Sequence, residues 1–80
     1  MATVGSFDRI TVEPGMCGGK PCIRRMRITV RRVLELLATY PDRAELIAEY
    51  PFLEAEDLNQ VLRYAAVTVD DESLNLNRVA

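Results

Sequence analysis

The chain has 80 residues, 49% of them hydrophobic and 28% charged, with a formal net charge of −2 and no His or Trp. That length holds one domain that buries only about 60% of its unfolded surface, so an oligomer or a bound partner is expected to add stability. No apolar stretch nears the ~18 residues of a membrane span, and Met1 to Ser6 lack the charged start and apolar run of a signal peptide. The expected compartment is therefore the cytosol, with Cys17 and Cys22 reduced.

Residues 1–7 read as a flexible N-terminus. Arg9-Ile10-Thr11-Val12 alternates polar and apolar residues, which predicts a short strand. Pro14-Gly15 and Gly18-Gly19 then break the chain, so residues 13–20 form a loop, the glycines serving turns with positive φ. Pro21-Cys22-Ile23 and Arg27-Ile28 read as two short extended pieces around Arg24-Arg25-Met26, a small hairpin or β-arm.

Helical spacing comes next. Thr29 is an N-cap, with Val30, Val33, Leu34 and Leu37 on one face of a helix that Pro41 ends. Asp42 with Glu45 three residues on resembles a capping box for a second helix, with Leu46, Ile47 and Tyr50 inward and Pro51 as its stop. Glu54, Glu56 and Asp57 open a third helix whose stripe is Leu58, Val61, Leu62, Ala65 and Val69. These elements predict a mostly α, tri-helical, helix-turn-helix-like domain over residues 8–69, led by a β-arm. A generic three-helix bundle fits the same periodicity. Residues 70–80 form an acidic then apolar tail, Asp70-Asp71-Glu72 and then Leu74, Leu76 and Val79, able to order on a partner.

Charge is distributed unevenly. Residues 1–34 hold seven bases against Asp8 and Glu13, a balance of +5; residues 35–80 hold Arg43, Arg63 and Arg78 against ten acids, a balance of −7. Lys20, Arg24, Arg25, Arg27, Arg31 and Arg32 form one run without an intervening acid, which points to an anionic partner. Arg31 and Arg32 occupy a first helical turn, where the macrodipole disfavours cations by ~0.3–1 kcal/mol. They could clamp an anion together with the free N–H groups of the helix start, or pair with Glu35 one turn on; both readings stay open.

Asn59, Gln60 and Arg63 read as outward residues of the third helix, of types that can contact base edges, or else as plain solvated surface. The acids at the start of that helix suit its macrodipole, yet they would repel phosphates if it entered a major groove. Gly18-Gly19-Lys20 resembles a phosphate-loop fragment, but Pro14 and Pro21 stand where the full signature needs Gly and Ser or Thr. Two cysteines without His cannot close a zinc site, and small half-buried residues beside a turn is the simpler reading of Cys17 and Cys22. No local spacing assembles a catalytic triad or dyad, so neither an enzyme nor a cofactor is expected.

The run Cys17-Gly18-Gly19-Lys20-Pro21-Cys22-Ile23-Arg24, then Arg27-Ile28-Thr29-Val30 and a Leu-rich helix, resembles a small bacterial family known as domain of unknown function 433. The likeness continues through Tyr50-Pro51, Leu53, Glu56-Asp57-Leu58 and Tyr64-Ala65-Ala66, and covers about residues 8–68. It implies a homeodomain-like fold and a VapB-type antitoxin role: neutralising a PIN-like ribonuclease toxin and, in many such antitoxins, repressing the operon by binding DNA. Where the family usually has Gly, in a turn that wants positive φ, this chain has Arg25, and Met26 replaces a common Thr. The family supplies no catalytic residues.

Three functions are thus in view. One is a dimeric antitoxin-like regulator touching operator DNA through Lys20, Arg24, Arg25, Arg27, Arg31 and Arg32, with either the third helix (Asn59, Gln60 and Arg63) or the β-arm nearest the bases. A second is a protein-interaction module whose basic face docks on the carboxylates of a PIN-like toxin, or whose Leu74, Leu76 and Val79 wrap it. A third is a homo-oligomer of structural use.

Overall fold

The computed structural model describes residues 2–69. The alternating stretch becomes strand β2 (Phe7–Val12), flanked on one side by β1 (Ala2–Val4) and on the other by β3 (Cys22–Ile23), all antiparallel in the order β1-β2-β3. The flexible N-terminus expected for residues 1–7 is corrected here. Ala2 pairs with Val12 and Thr3 with Thr11, a bulge lies just after Thr3, and Gly5 turns the chain at φ 54°. Three residues are too few to carry a detectable period of two, so only the turn residues Gly5-Ser6 signalled this hairpin.

The second hairpin forms where expected. The Ile23 N–H reaches the Ile28 carbonyl at 3.1 Å, and Cys22 bridges Thr29. Between them the Met26 N–H closes on the Ile23 carbonyl at 2.7 Å, with Arg24 at φ 45° and Arg25 at φ 63°. Positive φ at both central residues matches the twist of tight hairpins, and it is the conformation that glycine adopts without strain. The loop before it also turns left-handed, at Cys17 (φ 53°), Gly18 (φ 66°) and Gly19 (φ 82°).

Among the described residues three helices follow: α1 (Val30–Thr39), α2 (Arg43–Glu49) and α3 (Ala55–Thr68). The Thr29 hydroxyl accepts the Arg32 N–H at 3.0 Å, and the Asp42 carboxylate accepts the Ala44 N–H at 2.8 Å, so both caps lie where the sequence put them. Pro41 and Pro51 bar the preceding residue from helical geometry. Tyr40 and Tyr50 accordingly end α1 and α2, each closing the last turn with its N–H on the carbonyl four residues back.

Ile10 and Ile23 from the sheet meet Val30, Val33 and Leu36 of α1, Leu46 of α2, Leu53, and Leu58 and Val61 of α3 in one core. Each such side chain, fully buried, contributes about 1.5–3 kcal/mol of hydrophobic stabilisation. Two stripes are rotated from expectation. Leu36 rather than Leu34 or Leu37 is fully buried on α1, and Leu62 of α3 and Val69 just past its end are 41% and 54% exposed. The reason on α3 is polar: part of its inward face is taken by Asp57 and Gln60, both buried.

Candidate interaction surface

Asp57 organises the junction between sheet and helix. It is completely buried, and its two oxygens accept four hydrogen bonds, which fills a carboxylate's capacity. Oδ1 takes Arg24 Nε at 3.0 Å and Arg9 Nη1 at 3.1 Å; Oδ2 takes Arg24 Nη2 at 2.8 Å and the Glu54 N–H at 2.8 Å. Arg24 Nη2 also donates to the Phe52 carbonyl at 2.7 Å, and Arg9 Nη1 to Glu54 Oε1 at 2.6 Å. Burial alone would push the Asp57 carboxyl up. The bonds from Arg24, from the Glu54 amide and from Arg9 outweigh it and hold the group below its ordinary range.

Arg24 is therefore part of the internal framework and not a free contact for phosphate. Arg25 is also engaged. Its N–H donates to the Thr11 hydroxyl at 3.1 Å and its guanidinium pairs with Glu13, fastening the left-handed turn to β2. Arg31 and Arg32 share Glu35 at 3.5 and 3.3 Å, yet their side chains stay 81% and 54% exposed. Two cations on one acid leave a net positive charge at the start of α1. Lys20 and Arg27 are exposed and form no ion pair among the described residues.

The expected outward placement of Gln60 is corrected, whereas Asn59 stays half-buried and Arg63 exposed on α3. Gln60 points inward, 5% exposed, accepting the Arg9 N–H at 3.0 Å and donating to Asp8 at 2.7 Å and Glu56 at 3.1 Å. It fastens β2 to α3. Asn59 accepts from Arg43 at 2.7 Å, and both Asn59 and Arg63 donate to Glu56 at 3.4 and 3.2 Å. Base-edge recognition by these three would first have to break those bonds. Leu74, Leu76 and Val79 lie outside the described residues.

Sequence reasoning missed Arg9, Asp8 and the burial of Asp57. An acid in the first turn of a helix reads as a solvated partner of the macrodipole, and nothing local distinguishes one that two distant arginines cover. It missed a groove as well. A hollow of about 260 Å³ lies between α1 and α3, with Leu34, Tyr64, Ala65 and Val69 among its walls and Lys20 and Arg31 at its basic side. Among the described residues no helix is long and apolar enough to cross a membrane, and no group of three or more His, Cys, Asp or Glu is placed to hold a metal.

The family model described as "Protein of unknown function (DUF433)" matches residues 10–65, from within β2 to within α3. A solved structure of a DUF433 member protein from Anabaena variabilis ATCC 29413 is 39% identical and superposes with a TM-score of 0.62. That likeness covers 70% of this chain and 55% of the other. No curated protein matches the sequence. On the family match and this structural likeness, the chain belongs to the DUF433 family.

Proposed function

We propose that the chain is the antitoxin of a type II toxin–antitoxin pair, a cytosolic, non-enzymatic protein that binds and neutralises a PIN-like ribonuclease. The observation that carries this reading is the division of labour among the arginines. Arg24 and Arg25 are spent on the framework, whereas Lys20, Arg27, Arg31 and Arg32 remain exposed on the half of the chain with a balance of +5. A nuclease that holds metal ions through clustered carboxylates offers the complementary charge, and charged rims of this kind speed and orient docking.

The test is co-purification with the product of the adjacent reading frame, and then a ribonuclease assay. Wild-type protein is expected to bind that product and suppress cleavage. The double variant Arg31→Glu, Arg32→Glu is expected to lose both. Equal suppression by wild type and variant would remove the proposed surface.

A second reading is a dimeric, homeodomain-like helix-turn-helix regulator of its own operator. It is favoured by Arg31 and Arg32 standing exposed in the first turn of α1, where the macrodipole also favours an anion, although the Val30 and Arg32 N–H groups there are already taken by the Pro21 carbonyl and the Thr29 hydroxyl. It is weakened at α3, where Asn59, Gln60 and Arg63 are already bonded within the protein. Contacts on that reading would be to the backbone, so affinity would fall steeply with salt and discriminate little between sequences.

A further inference from the structure

We propose that the groove between α1 and α3 is the docking site of the chain's own segment 70–80. The inference goes beyond the antitoxin reading and does not depend on it.

The groove has apolar walls and a basic side. Leu34, Tyr64, Ala65 and Val69 make the walls, and Lys20 with Arg31 supplies two exposed cations. Two of its lining residues, Thr68 and Val69, immediately precede Asp70, so segment 70–80 starts at the edge of the hollow.

That segment has the matching chemistry in the matching order. Asp70-Asp71-Glu72 comes first, three carboxylates that can face Lys20 and Arg31. Ser73-Leu74-Asn75-Leu76-Asn77 comes next, an alternation that puts Leu74 and Leu76 on one side of an extended chain. The five residues from Val69 to Leu74 span at most about 17 Å when extended. That is enough to reverse direction and lay the two leucines along the walls. Exposed Val69 and half-buried Leu34 and Tyr64 would then be covered, in a domain whose small core leaves little stability to spare.

Tethering decides the occupant. A segment attached at the groove's edge acts at an effective concentration in the millimolar range, which a second copy or a foreign peptide must exceed. Occupancy by the chain's own segment would also neutralise part of the basic surface.

The experiment is methyl-resolved NMR on the full chain. Expected are cross-peaks from the Leu74 and Leu76 methyls to Leu34, Tyr64 and Ala65, unchanged on dilution and lost in the double variant Leu74→Ser, Leu76→Ser. Folding of the double variant is checked separately by its unfolding transition, which is expected to stay cooperative. Arg31→Glu is expected to lower the docked-to-undocked ratio roughly two- to five-fold, the worth of an exposed charge contact. Absence of those cross-peaks overturns the proposal. So does their appearance only between differently labelled molecules in a mixed sample, which would seat a second copy in the groove.

Discussion

Arg24 grips Asp57 side-on, Nε to Oδ1 at 3.0 Å and Nη2 to Oδ2 at 2.8 Å, across 33 residues of sequence. Arg24 sits in a left-handed turn between β3 and the next extended piece, and Asp57 in the first turn of α3. The pair therefore joins the hairpin to the last helix at a point where no apolar contact could be so directional. Breaking a buried pair by removing one partner costs about 3–5 kcal/mol. Both guanidiniums keep about a third of their side chains in solvent, which favours the low end of that range. Asp57→Ala is expected to lose about 3 kcal/mol in urea unfolding, much of the stability of an 80-residue domain. Arg24→Lys should also destabilise, because an ammonium cannot reproduce the two parallel bonds. A loss under about 1 kcal/mol for Asp57→Ala would show the pair to be dispensable.

The same carboxylate makes stability depend on acid. An aspartate in an unfolded chain titrates near 3.9, whereas folded Asp57 titrates lower, its burial outweighed by Arg24, the Glu54 amide and Arg9. Glu56 is lowered too, by bonds from Gln60, Asn59 and Arg63. As pH falls the unfolded chain takes up protons first, so the contribution is complete above the unfolded value and disappears as pH drops through the folded one. Urea midpoints measured from about pH 6 to pH 3 should fall below about pH 4 for wild type. The decline should be shallower for Asp57→Asn; parallel curves would assign the acid sensitivity elsewhere.

Much of this framework was legible in the sequence and part was not, for one physical reason. Thr29, Asp42, Pro41 and Pro51 act on neighbours within four residues, so their effects could be read directly. The left-handed turn at Arg24-Arg25 was also readable, from the glycine that the family resemblance expects at position 25. Gln60 and Asp57 were misjudged because burial of a polar side chain depends on partners about 50 and 33 residues away. Composition carries no trace of that pairing. The basic run looked uniform for the same reason: two of its arginines are fastened to the framework by acids, Asp57 and Glu13, that lie outside the run.

Arg25 holds φ 63°, a region that costs a residue with a Cβ about 1–2 kcal/mol. Its ion pair with Glu13 returns little, since the Arg25 side chain is 53% exposed. Arg25→Gly relieves the strain but adds freedom to the unfolded chain. The balance should be a gain of about 0.5–1 kcal/mol, seen as a rise in melting temperature of roughly 2–8 °C. A lower melting temperature would mean that the Glu13 contact matters more than the backbone.

The two thiols should separate chemically. Burial pushes the Cys22 thiol up to about 11, with neighbouring Cys17 adding to the shift, and Cys22 is only 1% exposed. At pH 8 its thiolate fraction is about a hundred-fold below that of an ordinary cysteine. Titration with a disulfide reagent should therefore label half-exposed Cys17 first. Cys22 should react only on unfolding, and equal rates in the folded protein would contradict the buried placement.

Gln60 and the arginine pair Arg31/Arg32 offer the sharpest separation of framework from surface. Gln60 satisfies the part-buried Arg9 N–H of β2, and removing its amide leaves that donor without its partner, a loss of about 1 kcal/mol. Gln60→Ala should therefore lower the unfolding midpoint, yet leave affinity for an anionic partner unchanged where the protein is still folded. Arg31→Glu with Arg32→Glu should do the reverse. Both side chains are exposed and share one acid, so stability should change by less than about 1 kcal/mol while binding to the partner, or to a heparin column as its polyanionic proxy, collapses. If Gln60→Ala weakened binding at full folding, α3 would be part of the contact face after all, and the operator reading would gain on the toxin reading.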